Sequence, residues 1–482
     1  MKFLIEKKKP IGLIFFIYSI AFCSIGLANY PYIDDTARRI TGENNFGLHY
    51  SRWGSEIFSW IIQGSKHLSD RGLTSFLLTA VILTATSTIM LYVLLGERTN
   101  YISATASVII GLNPWYLNAA AFRIDGPLIS MSLLLSVLPF IFWRKKLYYL
   151  VCSIISIFLM YNFYQASSGI YWILVLTLAL IEILRNEHFK RTVIQLIFSI
   201  FSFIIGTIFY LIQLKFLPAT DNSNSKIVSG RFFEKILANI NAYGQEIFQY
   251  SLKSWLILGA LIVLFFIVVL IIQCRIRPIL VIAYSLIYLV LSFIAGFGLY
   301  SFLNFPVAHE AARYSYGFGF WIAAIAILTS QKINNRLLTI VKNTVILALT
   351  YYFIMFVFTF SNMLQVQKDS FTSQSILLQS SLVSKDIYQK GDEVFIDKMF
   401  NDSPIFINTT KNFEIMKQII PSNSIQYWPN WYWFQEITGI TLQDASSPKA
   451  QAILVPEHLV ESNYRWDIYK SGNVILIISK AN

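Results

Sequence analysis

The chain has 482 residues, of which 55% are hydrophobic and 13% are charged, whereas soluble domains carry about a quarter charged residues. Its apolar residues are gathered in long runs, which excludes an ordinary soluble protein and predicts a helical membrane protein. The formal charge of +12 does not indicate nucleic-acid binding, because the basic residues lie in short groups between apolar segments, where they fix topology and meet anionic headgroups.

The apolar runs predict about eleven transmembrane helices, each of about 20 residues. The first run follows three lysines, as in a signal peptide, but it is long for one and no small-residue cleavage site follows, so we predict an uncleaved span. A hairpin of two spans is predicted within 101–142, with a short first arm that is kinked or broken where it meets Pro114. The nine single spans are predicted at 10–28, 73–95, 147–163, 166–184, 193–214, 254–272, 279–302, 313–329 and 341–360.

The basic residues predict the orientation of these spans. With the N-terminus in the cytoplasm, every predicted inner connection is short and carries Lys or Arg, as the positive-inside rule requires. An odd number of spans then places the C-terminal tail outside. We therefore predict a polytopic transmembrane catalytic domain at 1–360 and an outer C-terminal domain at 361–482.

The tail is more polar than the rest of the chain. Four short runs rich in β-branched residues, at 394–396, 404–407, 452–455 and 474–478, predict strands of a small α/β domain. Two outer stretches, beginning near Trp53 and Phe232, have apolar residues at helical spacing. They predict amphipathic helices, which either lie on the membrane surface or pack in an ordinary way.

Asp34 and Asp35 lie just past the outer end of the first span, where a charge is costly unless it is paired or hydrated. A solvated loop turn would explain them without any function. Alternatively, one carboxylate is a general base that accepts the proton of an acceptor hydroxyl. The other would orient the acceptor or bind a divalent cation, although one doublet offers too few ligands to assign a metal.

Arginines accompany acids at two outer positions. Arg38 and Arg39 follow the doublet at the i,i+4 spacing of helical ion pairs, and they alternatively bind a phosphate in bidentate fashion. Asp125 lies with Arg123 at another outer span end. This pair is either an interfacial snorkelling pair or a functional carboxylate and arginine that face the same aqueous layer as Asp34 and Asp35.

Further polar and aromatic residues lie at other outer positions. Gln165, Arg231 and Arg313 either contact headgroups or, together, bind substrate and a lipid-phosphate leaving group, whose charge develops in the transition state. Trp431 and Trp433 belong to an aromatic segment of the tail. That segment predicts either sugar stacking or an interfacial aromatic belt.

Acids in the first outer loop of a many-spanning protein are typical of the GT-C class of glycosyltransferases, and the chain resembles the Gtr-type serotype-converting O-antigen glucosyltransferases. The resemblance implies a GT-C-like, α-helical polytopic membrane fold with about eleven transmembrane helices and a small α/β C-terminal extracytoplasmic domain. It covers most of the chain through short motifs, namely Asp34-Asp35 with Arg38-Arg39, Asn113-Pro114 leading to Arg123 and Asp125-Gly126-Pro127, Tyr164-Gln165 with Ser167, and Pro429 through Trp433.

The resemblance also implies the reaction. The donor would be a sugar, usually glucose, on undecaprenyl phosphate, and the acceptor a lipid-linked O-antigen or other surface glycan on the periplasmic side of a bacterial inner membrane. Transfer would invert the anomeric carbon. Asp34 or Asp35 becomes the base and Asp125 a supporting carboxylate, while the arginines at 38, 39 and 123 bind the donor phosphate. The segment around Arg52 fits the family less clearly and is assigned no role.

Two other classes of function compete with this interpretation. A transporter or flippase of lipid-linked sugars would also need arginines and acids near a groove, but transporters commonly show related halves and charges near mid-membrane. Here the acids cluster at one face and an outer domain follows. The second alternative is a GT-C enzyme that transfers a different sugar to a different acceptor.

Overall fold

The computed structural model describes residues 2–43, 45–185, 189–220, 230–274 and 276–480. Contacts divide the chain into two compact units. We call Met1–Leu27 with Asn44–Thr359 the membrane unit, and Ala28–Glu43 with Phe360–Asn482 the sheet unit. The segment Ala28–Glu43, which belongs to the predicted transmembrane domain, thus groups with the C-terminal residues.

The chain is mainly helical. The α-helices are α1 (Lys2–Glu6), α2 (Lys8–Ala28), α3 (Asp35–Thr41), α4 (Phe46–Tyr50), α5 (Trp53–Gln63), α6 (Leu73–Leu94), α7 (Tyr101–Ser107), α8 (Ile109–Leu112), α9 (Pro114–Ala120), α10 (Asp125–Val137), α11 (Lys146–Phe163), α12 (Ser168–Leu184), α13 (Phe189–Phe216), α14 (Phe232–Tyr250), α15 (Lys253–Gln273), α16 (Pro278–Ala295), α17 (Gly317–Thr329), α18 (Arg336–Ser384), α19 (Pro404–Asn412), α20 (Met416–Ile419), α21 (Trp428–Thr438) and α22 (Pro448–Ala452). Short 3-10 helices lie at Gly96–Arg98, Leu138–Phe142, Gln165–Ser167, Gly298–Phe302, Val307–His309, Ala312–Ser315 and Pro456–His458.

Nine helical segments in the described ranges are long and apolar enough to span a membrane, two fewer than the predicted eleven. The predicted multi-span fold is confirmed, but the first arm of the hairpin and the span predicted at 313–329 form shorter helices. The nine are Lys8–Ala28, Leu73–Leu94, Asp125–Phe142, Lys146–Phe163, Gln165–Leu184, Phe189–Phe216, Lys253–Gln273, Pro278–Ala295 and Arg336–Ser384.

The two shorter segments have identifiable causes. The first arm is divided into α7 and α8 and ends at Asn113, whose extended backbone and capping side chain start α9 with Pro114 at its first position. α17 has 13 residues, or about 20 Å at 1.5 Å per residue, because a 3-10 helix occupies the start of the predicted span. A Cβ at Gly317 would lie 2.0 Å from the carbonyl oxygen of Gly296, so this close approach requires glycine where α17 begins.

Hydroxyl groups join the helices of the membrane unit. The Tyr316 hydroxyl lies 2.7 Å from Ser167 Oγ, which lies 2.6 Å from Ser132 Oγ. Tyr116 and Ser130 form a similar bond of 2.6 Å. Such interhelical bonds contribute about 1 kcal/mol each in a membrane. They fix the turns before α12 and α17, which carry candidate site residues.

Both predicted amphipathic helices are confirmed as helices, namely α5 and α14. α5 buries Ser55, Glu56 and Ser59, while Ile57 and Ile61 are exposed. A helix that turns its polar side to the protein and its apolar side outwards suits contact with lipid better than contact with water.

The described part of the sheet unit contains five strands, β1 (Glu393–Ile396), β2 (Leu442–Asp444), β3 (Leu459–Ser462), β4 (Trp466–Ser471) and β5 (Val474–Ser479). Their order in the sheet is β2-β1-β5-β4-β3. β1 runs parallel to both β2 and β5, whereas β4 is antiparallel to β5 and β3. Phe395 and Leu476, on the neighbouring strands β1 and β5, pack with Ala445 and Ala450 in the buried core. The predicted small α/β domain is therefore present.

Two of the four predicted strands are confirmed and two are wrong. The runs at 394–396 and 474–478 lie in β1 and β5. The run at 404–407 instead begins α19, because Ser403 Oγ accepts the Ile405 N–H at 3.3 Å and Pro404 occupies the first helical position. The run at 452–455 follows the start of α22 and stops at a proline, which cannot donate to a strand ladder.

Candidate functional site

The acidic doublet lies in the sheet unit, at the start of α3. Asp34 Oδ2 lies 3.2 Å from Arg38 Nη2, which forms the i,i+4 ion pair, and Gly42 ends the helix with a φ of 71°. Asp35 is fully buried, whereas the Asp34 side chain retains 30% of its exposure. Burial, and then the charge of Asp34, raise the pKa of the Tyr427 hydroxyl. Asp34 is therefore the accessible carboxylate of the two, and an aromatic hydroxyl lies near it.

Residues far along the chain hold this acidic segment. Arg39 pairs with Glu436, which is 397 residues away, and the Tyr32 hydroxyl donates to the carbonyl oxygen of Ile419, which is 387 residues away. Both partners lie in the helical part of the sheet unit. The conformation around the doublet therefore depends on the C-terminal residues.

The aromatic segment of the tail forms α21. The Trp433 ring stacks on Phe371, with centroids 4.1 Å apart and planes at 4°, and meets Tyr30 edge-on at 5.2 Å. Trp433 is only 5% exposed, so its ring packs within the sheet unit. Trp431 is half-buried, and its indole N–H has no hydrogen-bond partner among the residues that the structure describes. Of the two, Trp431 is better placed to meet a ligand.

Asp125 and Arg123 lie in the membrane unit, at the start of α10. Asp125 is the first residue of the helix and is almost buried, and a carboxylate at this position is favoured by the helix dipole. The buried Arg123 guanidinium pairs with Asp70. Asp70 also accepts the Gly72 N–H at 2.9 Å. Arg123 thus has an acidic partner within the protein, one that sequence reasoning did not identify.

Gln165 connects two residues of the membrane unit. Its Oε1 accepts from Arg52 Nε at 3.3 Å, and its Nε2 donates to the Tyr210 hydroxyl at 2.9 Å. The guanidinium carbon of Arg52 lies 4.7 Å from the ring centroid of Tyr164 and 5.1 Å from that of Tyr50, which is cation–π geometry. Among the described residues Arg52 forms no ion pair, so its positive charge is not neutralised by a carboxylate.

Arg313 lies near the same tyrosine. Its guanidinium carbon is 5.3 Å from the rings of Phe122 and Tyr314. Burial raises the pKa of Tyr164 to about 12, and the charges of Arg313 and Arg52 oppose this rise. Both guanidiniums therefore lie close enough to act on one hydroxyl, and two cations so arranged favour an anion.

Arg231 has a different environment. Its side chain is 79% exposed, and it lies 3.7 Å from the exposed Glu234 as an i,i+3 pair. It immediately precedes α14 and has a φ of 43°. Its partner and exposure are those of a surface ion pair.

Glu246 is an acid that sequence reasoning missed. It lies on the buried face of α14, its side chain is 1% exposed, and its Oε2 is 3.8 Å from His309 Nδ1. Its Oε1 has no hydrogen-bond partner within the described ranges. Burial raises the pKa of the Glu246 carboxyl to about 7, because desolvation disfavours the charged form.

The membrane unit thus brings Gln165 and Arg313 together around Tyr164 and adds Arg52, to which the sequence assigned no role. The available signal was that Arg52 lies between the aromatic residues Tyr50 and Trp53 in an outer loop. The acids at 34 and 35 belong to the sheet unit and Asp125 to the membrane unit. That these acids share one pocket stays a prediction.

The sequence alone does not decide whether the protein binds a metal ion. Within residues 2–43, 45–185, 189–220, 230–274 and 276–480, no group of three or more His, Cys, Asp or Glu side chains could hold a metal ion. The alternative that one carboxylate of the doublet binds a divalent cation stays untested by these contacts.

Comparison with known proteins identifies the family. No curated protein and no solved structure matches the chain. The family model described as Glucosyl transferase GtrII matches residues 23–324, which is more than half of the chain and includes the acidic doublet, Asp125 and the residues around Tyr164. This multi-pass membrane protein is therefore an enzyme that belongs to the GtrII glucosyl transferase family.

Proposed function

We propose that this enzyme transfers glucose from a polyprenyl phosphate to a lipid-linked O-antigen or another surface glycan. The observation that carries the proposal is the pair of guanidiniums, those of Arg52 and Arg313, beside Tyr164. Two cations, one of them bonded to the amide of Gln165, supply what a phosphate leaving group needs as its charge develops. Family membership supports the sugar transfer itself.

The reaction exchanges one bond to the anomeric carbon for another. The acceptor hydroxyl oxygen bonds to that carbon from the face opposite the phosphate, while the bond from carbon to phosphate oxygen breaks, so the configuration inverts. The hydroxyl proton passes to a carboxylate, and polyprenyl phosphate leaves as an anion that the arginines stabilise. We assign the base to Asp34 or Asp35, and the exposure of Asp34 favours Asp34. Asp125 is assigned a supporting role.

We further propose that the reaction takes place on the periplasmic side of a bacterial inner membrane. This sidedness is supported by the Lys and Arg residues of the short connections on the other side. A periplasmic reporter fused to the C-terminus should be active, and activity only of a cytoplasmic reporter would reject the orientation.

Transfer is tested with the full-length protein in liposomes. The donor is radiolabelled polyprenyl-phosphate glucose and the acceptor a lipid-linked O-antigen, and labelled glycan is separated from labelled donor. We expect label in the glycan, and much less with an Arg52→Gln, Arg313→Gln double variant that folds normally. Movement of the labelled lipid between leaflets without transfer would identify a transporter instead. Absence of both transfer and movement would reject the proposed donor.

A further inference from the structure

A second basic cavity lies in the membrane unit, at the C-terminal ends of α12, α15 and α17. Its volume is about 330 Å³, and Arg98 and Arg185 lie on its wall. Leucine and isoleucine side chains from the same helices complete the wall together with Gln273 and Gln331. A cavity of this size is at the lower end of the range of ligand sites, so it has room for a small polar group rather than for a whole lipid.

The surrounding structure holds Arg98 in place at this cavity. Its Nη1 donates to Gln331 Oε1 at 2.8 Å, and Gln331 is only 7% exposed. The Lys7 ammonium donates to the carbonyl oxygens of Glu97 and Thr99, at 2.6 and 3.1 Å, which fixes the turn that carries Arg98. Arg98 is itself exposed, and it forms no ion pair with the residues that the structure describes. A guanidinium has five N–H donors, so most of them remain accessible to a ligand.

Arg185 adds a second positive charge to the same cavity. It is exposed and directly follows the last residue of α12. Burial raises the pKa of the Cys274 thiol, which also lines the cavity, and the charge of Arg185 opposes this rise. The guanidinium therefore lies close to that thiol. A cleft with low-dielectric walls and charges of one sign concentrates the electrostatic field, so this cavity attracts anions.

The cavity and the residues around Tyr164 lie at opposite ends of the same two helices. Gln165 precedes α12 and Arg185 follows it, and the helix has 17 residues, or about 25 Å at 1.5 Å per residue. In the same way, Arg313 precedes α17 and Gln331 follows it. Because α12 belongs to a candidate membrane span, the two sites face opposite sides of the membrane. An anion in this cavity is therefore not the phosphate that reacts.

We propose that this cavity binds the phosphate of an anionic glycerophospholipid in the leaflet opposite the transfer site. Guanidiniums bind phosphate oxygens through paired donors. The aliphatic part of the wall favours a lipid over a free phosphate, since the glycerol region of a lipid covers apolar surface that a small soluble anion leaves in water. Basic pockets between the ends of membrane helices suit such headgroups. Only the assignment to the cytoplasmic leaflet rests on the proposed orientation.

Removal of the two charges tests this proposal. The double variant Arg98→Gln, Arg185→Gln takes both guanidiniums from the cavity. Arg144→Gln is the matched control, because Arg144 is exposed just before α11, does not line the cavity and forms no hydrogen bond or ion pair within the described ranges. The melting temperature of each full-length variant in neutral detergent shows whether it folds.

The assay measures binding of phosphatidylglycerol and phosphatidylcholine to the full-length protein by native mass spectrometry. Wild type should bind phosphatidylglycerol more tightly than phosphatidylcholine. The double variant should lose about tenfold in affinity for phosphatidylglycerol, which corresponds to about 1.4 kcal/mol, whereas Arg144→Gln should stay within about twofold of wild type. Equal affinity of wild type for the two lipids, or an unchanged affinity in the folded double variant, would overturn the proposal.

Thiol labelling gives a second measurement that leaves both arginines in place. Cys274 lines the cavity, whereas Cys23 and Cys152 lie on the spanning helices α2 and α11 and are replaced by alanine. Phosphatidylglycerol should slow the reaction of Cys274 with N-ethylmaleimide several-fold, and phosphatidylcholine should not. Glycerol phosphate, which has the phosphate without the acyl chains, should leave the rate unchanged. Equal protection by glycerol phosphate would assign the cavity to a soluble anion and overturn the lipid assignment, and so would a lack of protection by phosphatidylglycerol.

Discussion

Arg52 provides the sharpest test of the arrangement around Tyr164. Arg52→Gln removes the charge, whereas Arg52→Lys keeps the charge but loses the planar guanidinium. That guanidinium donates to Gln165 Oε1 at 3.3 Å and lies 4.7 Å from the Tyr164 ring centroid. A hydrogen bond between charged groups contributes about 1.5–3 kcal/mol, which is what a guanidinium bound to the donor phosphate would lose on removal of its charge. We therefore expect Arg52→Gln to lower kcat/KM about 100-fold, and Arg52→Lys, which keeps the charge without the bidentate geometry, about tenfold.

The assay is glucose transfer from polyprenyl-phosphate glucose, together with competitive inhibition by farnesyl phosphate without sugar. The inhibition constant should rise in parallel with the loss of kcat/KM, because both report phosphate binding. The matched control is Arg465→Gln in the sheet unit, since Arg465 also lies over a tyrosine, 5.1 Å from the Tyr464 centroid, and bonds to that residue through its Nε. Arg465→Gln should stay within about twofold. An Arg52→Gln enzyme that kept near-native kcat/KM, or lost activity with an unchanged inhibition constant, would refute the assignment.

Three further predictions follow from the described contacts. Asp34→Asn with Asp35→Asn should abolish transfer while the protein folds normally, as measured by turnover and melting temperature; near-native turnover of the double variant would reject the base assignment. Burial raises the folded-state pKa of Glu246 to about 7, above the value of 4.5 for an ordinary Glu, so the stability that its proton contributes is fully present below pH 4.5 and is lost as pH rises through about 7. The melting temperature of wild type should therefore fall relative to that of Glu246→Gln between pH 5 and pH 8. Parallel curves of melting temperature against pH would contradict this. Trp433→Ala should destabilise the sheet unit by about 3–5 kcal/mol, because its buried ring stacks on Phe371, whereas the half-buried Trp431→Ala should lose far less; equal effects in limited proteolysis would show that packing does not distinguish the two rings.

The spans were predictable because each is a long apolar run, and lipid requires such runs to form helices. The short helix α17 was not, because its start depends on a close approach between Gly317 and Gly296 that no local pattern reveals. In the tail, apolar content alone predicted a strand at 404–407. The segment forms a helix instead, because Ser403 caps its N-terminus and Pro404 occupies its first position.

The candidate site was predictable only in part. Gln165 and Arg313 were chosen because they are polar residues at outer turns, and the structure places both near Tyr164. Arg52 was missed because its significance comes from the absence of a carboxylate partner among the described residues, a property of packing rather than of sequence. Glu246 was missed for a similar reason, since an isolated acid in an amphipathic helix gives no sign that it is buried.

The contacts of the acidic segment also determine when it can fold. The ribosome makes Ile419, the partner of Tyr32, 387 residues after that tyrosine. At about 5–20 residues per second, the segment waits roughly 20 to 80 s for its partners to be synthesised. During that interval it lacks the C-terminal partners of Tyr32 and Arg39 and is open to proteases and chaperones. Chains released early by a stop codon before the region of α20 would lack these neighbours permanently, so premature termination should yield inserted but inactive protein.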